Sequence, residues 1–212
     1  MSGLLPARDC QEEVDFDDEG RKILSKLNLA PNDVDSGRSW NNLDAIFAHP
    51  TGGGKIFVGN ANAAESLETL QKHEITHVVN CTSGAGAIPC FHSSSKKIQY
   101  YVFPISQWWA HVNDSDESVL AFSEPMFQFI EEAISTGKGS VLVHCLAGAH
   151  RAGTTGCACL MHFAALNHKE AIATAKRLRP IIDPIGQLPQ FLQRLELARV
   201  RLKGAANFQQ NK

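Results

Sequence analysis

The sequence predicts an α/β fold with a central, largely parallel sheet and helices on both faces. Three observations carry this reading. From residue 55 onward, short branched or aromatic runs alternate with longer segments of helical spacing. One run, Val141-Leu142-Val143, is unbroken apolar sequence, as in a strand covered on both faces. After the loop that begins at Cys145, the remaining periodic segments all read as helix.

In order, Lys55 to Gly59 reads as a short strand leaving a glycine turn, and Ala64 to His73 as a helix. Thr76 to Asn80 is a second strand, Ser83 to Ser95 a small polar loop, and Ile98 to Phe103 a third strand ended by Pro104. Residues 105 to 116 read as a loop holding Trp108, Trp109, His111, Asp114 and Asp116. Val119 to Ser135 has helical spacing, with Pro125 expected to start a new helix or kink a longer one. Ser140 to His144 is the buried strand, and helices follow over 153–166, 168–178 and 188–202. Upstream, Arg21 to Leu29 and the stretch from Trp40 to Phe47 read as short helices, with loop around Pro31 to Gly37.

These elements divide the chain into an N-terminal extension with short helices over 1–50, a main domain over 51–203 and a flexible tail over 204–212. At 212 residues, 43% hydrophobic and 20% charged, the chain suits one domain and an extension. A formal charge of -2 exerts no long-range pull on nucleic acid or an anionic membrane. The start, MSGLLPARDCQEE, lacks the apolar core of a secretory signal, and no stretch approaches the roughly 18 apolar residues of a membrane span. Six cysteines without a CxxC pair read as free thiols in a reducing, cytoplasmic compartment.

The chemistry concentrates in VLVHCLAGAHRAGTTGCACL, where a buried strand ends at His144 and Cys145 is followed by five residues, Arg151 and an apolar helix. Parallel sheets bind ligands beyond the carboxyl ends of their strands, which is where this loop falls. Gly148, between Ala147 and Ala149, permits a tight wrap. Backbone amides from Leu146 to Arg151 can then face inward as an anion nest at a helix N-terminus. Arg151 adds a planar fork for two phosphoryl oxygens. The same positive field favours thiolate over thiol at Cys145, giving a nucleophile that can take a phosphoryl group from oxygen to sulfur.

HCLAGAHR resembles the HCx5R signature of protein tyrosine phosphatases, and the wider run resembles the small dual-specificity phosphatases. The similarity extends over IFVGNANAAESLETLQKHEITHVVN, YYVFPIS, VLVHCLAGAHRAG, CLMHF and RLRPIIDP, about residues 55 to 200. It implies a mixed sheet of four or five strands flanked by helices. It also implies phosphorylated protein substrates, bearing phosphotyrosine with phosphoserine or phosphothreonine, and neither metal nor cofactor. Cys145 then matches the nucleophile and Arg151 the phosphate-binding arginine. Leu146, Ala147, Gly148, Ala149 and His150 match the phosphate loop, and His144 the histidine behind the nucleophile.

Two positions depart from the family pattern. Ala152 stands where a Ser or Thr hydroxyl helps the thiolate leave, with Thr154 and Thr155 nearby but differently directed. Gln107 stands where the general-acid aspartate is expected, and an amide cannot protonate a leaving oxygen. Asp114 is the first candidate for that acid and Asp116 the second. Glu117, His111 or no side-chain acid remain open. Either tryptophan of this loop could line the pocket entrance, although core packing suits both.

Cys81 and Cys145 each follow a strand, so a reversible disulfide between them is conceivable beside separate burial. Gly52-Gly53-Gly54-Lys55 lacks Walker A spacing, and Lys176, Arg177 and Arg179 read as a solvated helix face. The alternative functions are a binding or scaffold protein that kept the phosphate loop with little turnover, and sulfur transfer or arsenate reduction. The blocks outside the loop favour phosphatase.

Overall fold

Strand β5, Ser140–His144, occupies the middle of the sheet, and all five of its residues are buried. In the computed structural model, which describes residues 14–26, 41–137 and 139–210, it lies between two parallel neighbours. These are β2, Lys55–Gly59, and β3, Ile75–Asn80. Outside β3 runs β4, Gln99–Val102, also parallel, and outside β2 runs β1, Leu43–Ala48, antiparallel. The sheet is therefore mixed and five-stranded in the order β1-β2-β5-β3-β4.

Helices cover both faces, and strand alternation sorts the core between them. Ile56, Val58, Val79, Val141 and Val143 face a layer containing α5, Asp116–Ser135, α6, Arg151–Phe163, and α8, Leu188–Gln210. Phe57, Val78 and Leu142 face the other way, toward α2, Ala61–Glu65, and α3, Leu67–Lys72. The shorter α1, Phe16–Lys26, α4, Trp108–His111, and α7, His168–Leu178, complete the set.

The structure corrects several expected elements. The stretch from Trp40 to Phe47, expected as helix, contributes strand β1, so the sheet begins before the boundary set at residue 51. A register shift between Ala45 and Phe47 explains the misleading spacing. The bulge carries both Ile46 and Phe47 to the α5, α6 and α8 face, which breaks simple alternation. The expected helix at 64–73 is two helices meeting at Ser66, which ends α2 while its side chain accepts from Thr69 N, capping α3.

Helix α5 passes through Pro125 without interruption. Part of the expected 105–116 loop is a 3-10 turn at Ile105–Gln107 followed by α4. Helix α8 reaches Gln210, into the stretch expected as a tail. Helix α1 begins earlier than expected, with Asp15 accepting from the Asp17 and Asp18 amides at 3.0 Å. The loop expected at Pro31 to Gly37 lies outside the described residues.

Registers position the site. Gly59 and Asn80 both pair with His144, so three adjacent parallel strands end level with one another. The loops leaving them meet above that common edge, which is where such sheets hold ligands.

Candidate active site

The segment from Cys145 to His150 leaves β5 and turns directly into α6, which starts at Arg151. Five successive carbonyls of this segment are held by the surrounding framework. Leu146 O accepts from Ala61 N at 3.0 Å, and Ala149 O accepts from Asp183 N at 3.2 Å. Ala147 O and Gly148 O accept from Arg179, from Nη2 at 3.3 Å and from Nε at 3.1 Å. His150 O accepts from Thr154 N at 2.8 Å and Thr154 Oγ1 at 2.7 Å.

The described chain has no cis peptide. In a trans peptide the N–H of the next residue points opposite to the carbonyl. Fastening these carbonyls outward therefore turns the amides of Ala147, Gly148, Ala149, His150 and Arg151 toward the open side. Amides so directed, at the N-terminal end of the 13-residue α6, could hold an anion.

Gly148 makes the wrap possible. Its φ is +70°, and a Cβ there would lie 2.5 Å from Gly59 O and 2.9 Å from Arg179 Nη2. The approach to the Gly59 backbone excludes a side chain, and the left-handed φ would strain one. His150 is tied down as well, its Nδ1–H donating to Asp183 O at 2.5 Å.

Sequence reasoning missed Arg179, placing it on a solvated helix face. Only 2% of it is exposed, because it sits at the end of α7 just before Pro180 and turns under the loop. Besides the two loop carbonyls, Nη1 donates to Asn41 O at 2.9 Å and to Asp44 Oδ2 on β1 at 2.6 Å. A buried guanidinium with every edge engaged is a brace. Its position immediately before a proline, where helices usually end, was the available signal.

Beneath the loop, His144 is wholly buried and neither ring nitrogen makes a hydrogen bond. Burial pushes its pKa from 6.5 down to about 4; the nearby Cys145 backbone opposes this shift, and the Arg151 charge reinforces it. The imidazole is thus neutral at physiological pH.

Cys145 is 3% exposed. Cys81, after the neighbouring strand, is buried and donates its S–H to Thr155 Oγ1 at 3.3 Å. Burial pushes the Cys81 thiol pKa up, and both cysteines are free thiols. Thr155 in turn donates to Arg151 O at 3.0 Å. Both threonine hydroxyls near Ala152 are therefore committed to backbone carbonyls, Thr154 to that of His150 and Thr155 to that of Arg151.

A cavity of about 330 Å³ adjoins Arg151, lined by Val14, Asp15, Phe16, Asp17, Ser106, Gln107 and Trp109. Trp109 borders it and is 37% exposed. Trp108 instead packs on Phe191, with ring centroids 5.8 Å apart, and donates its indole N–H to Gln187 O at 3.1 Å. The acid candidates sit elsewhere on the connection into α5, and none lines this cavity. Asp114 and Glu117 are exposed, Asp116 pairs with Arg201 at 3.3 Å, and His111 stacks on Phe122 at 5.5 Å.

The fold and loop define a protein tyrosine phosphatase-like α/β domain. Residues 56–196 match the family model "Dual specificity phosphatase, catalytic domain". The chain belongs to the dual-specificity phosphatase family.

Among its relatives, dual specificity protein phosphatase Mpk3 of Drosophila melanogaster is 34% identical over 73% of this chain and 35% of its own length. Human dual specificity protein phosphatase 9 is 33% identical over 67% of this chain and 35% of its own length. The chain thus spans about a third of the length of these two relatives. The crystal structure of human DUSP28 shares the fold, with a TM-score of 0.57 at 24% identity, covering 77% of this chain and 98% of that one. Among the described residues, no helix is long and apolar enough to cross a membrane.

Proposed function

We propose that the chain is a phosphoprotein phosphatase that works through a phosphocysteine at Cys145, acting on phosphotyrosine and also on phosphoserine and phosphothreonine. The observation that carries this reading is the outward fastening of five consecutive loop carbonyls around the end of β5. A cradle of inward amides closed by Arg151 binds the three non-bridging phosphoryl oxygens. It binds them best when charge accumulates there in the transition state. The thiolate of Cys145 attacks phosphorus, the P–S bond forms as the P–O bond to the substrate breaks, and the leaving oxygen takes a proton. Water then cleaves the P–S bond, releasing phosphate and restoring the thiolate.

Asp114 is our choice for the proton donor. It is an exposed acid in the turn before α5, whereas His111 is stacked and Asp116 is paired. Because no hydroxyl follows Arg151 and the nearby threonines are committed elsewhere, the second step is the slower one. His144 stays neutral, buried behind the nucleophile. A thiol nucleophile among free cysteines suits a reducing, cytoplasmic location.

The second reading, a phosphate-binding protein with little turnover, draws on Ala152 and Gln107. Phosphate release from phosphotyrosyl and phosphothreonyl peptides separates the two readings. The wild type releases phosphate from both, and Cys145→Ser abolishes release. Asp114→Asn lowers kcat/KM by on the order of 100-fold for the threonyl ester and less for the aryl ester, whose phenolate leaves without help. Peptide binding without Cys145-dependent release would leave the binding reading in possession.

A further inference from the structure

One carboxylate already sits on the guanidinium that the cradle needs. Asp17, in the first turn of α1, is ion-paired through Oδ1 to Arg151 Nη2. The Phe16 ring lies beside the same guanidinium, its centroid 5.9 Å from Arg151 Cζ. An aromatic ring and an anion thus arrive together, which is the chemistry of an aryl phosphate.

The segment has a fitted seat. Phe16 is 9% exposed and joins the main core. Val14 packs so tightly on Gly186 that a Cβ there would lie 2.8 Å from Val14 Cγ2. Asp15 caps the helix from outside, accepting from the Asp17 and Asp18 amides, and so fixes the direction in which Asp17 projects. With Asp17 in place, a side of Arg151 that could bind phosphate is already taken, and residues 14–17 form one wall of the adjoining cavity.

We propose that the N-terminal segment containing Val14 to Asp17 is a displaceable pseudosubstrate, whose Asp17 carboxylate must leave Arg151 before a phosphoryl group can be gripped in full. The proposal rests on the reading of the Cys145–Arg151 loop as a phosphate site. It also separates Asp17 from the proton-donor role: a group that competes for Arg151 opposes substrate, and its loss raises affinity. A seat occupied nine-tenths of the time weakens the apparent affinity for an oxyanion about tenfold.

The test compares the wild-type chain of 212 residues, Asp17→Asn and Asp18→Asn by calorimetric titration with tungstate, and by release of phosphate from a phosphotyrosyl peptide. Asp18 carries the same charge one residue away but pairs with Lys22 at 2.8 Å, so its variant controls for the simple loss of an anion. Asp17→Asn is expected to bind tungstate about tenfold more tightly than wild type and to lower KM, with Asp18→Asn close to wild type. Equal tungstate affinity in all three, or equal tightening by both substitutions, overturns the proposal. Tightening by Asp17→Asn without phosphate release from any chain upholds the pseudosubstrate and defeats hydrolysis. Release with no change in affinity does the reverse. No tungstate binding by any chain removes the site and the pseudosubstrate with it.

Discussion

At the scale of single residues, the loop depends on groups that no substitution readily replaces. Gly148 combines a left-handed φ with contact distances that no Cβ tolerates. His144 shows the cost of the buried platform beneath. Its native pKa of about 4 lies below the ordinary 6.5, so between these values an unfolded chain binds a proton that the folded chain refuses. Stability is therefore held above pH 6.5 and lost as pH falls toward 4, by about 3 kcal/mol for this group alone. Urea unfolding at stepped pH should show the stability difference between wild type and His144→Gln changing across that window and level above it.

At the scale of elements, the cradle is held by its neighbours more than by itself. Arg179 joins the end of α7 to Ala147 and Gly148 on one side and to Asp44 of β1 on the other. Arg179→Lys keeps a cation for Asp44 but cannot span both loop carbonyls. Steady-state kinetics on this variant should show kcat/KM reduced by on the order of 100-fold in a chain whose circular dichroism is unchanged.

The same element scale divides what the sequence disclosed from what it concealed. Strands β2, β3 and β5 were legible because their apolar runs are short, branched and bounded by turn residues. Strand β1 was hidden by its bulge, which puts the adjacent Ile46 and Phe47 on one face. Ser66 concealed the division of one helix into two, since a serine inside an apolar rhythm reads equally as a solvent-facing side chain or as a cap.

At the scale of the whole molecule, the site is a consequence of register. Three parallel strands end level at Gly59, His144 and Asn80, and the loops that follow are then fastened to one another across the sheet. The loop from Cys145 to Arg151 was legible as a local pattern: strand, glycine-centred turn, arginine, helix. Its supports were not, because Ala61, Arg179 and Asp183 come from distant parts of the chain and meet only through topology. Trp108 and Trp109 illustrate the same limit. They are adjacent in sequence, yet one is anchored to Gln187 and the other borders the cavity.

In the proposed reaction Cys145 accepts the phosphoryl group and, lacking a hydroxyl after Arg151, gives it up slowly. Rapid-quench mass spectrometry during the first turnover of an aryl phosphate tests this directly. The expected result is a burst of phenol and a phosphoryl group accumulating on the peptide that contains Cys145, absent in Cys145→Ser. Turnover with no phosphoryl group on that peptide, or a phosphopeptide that persists in Cys145→Ser, would contradict it.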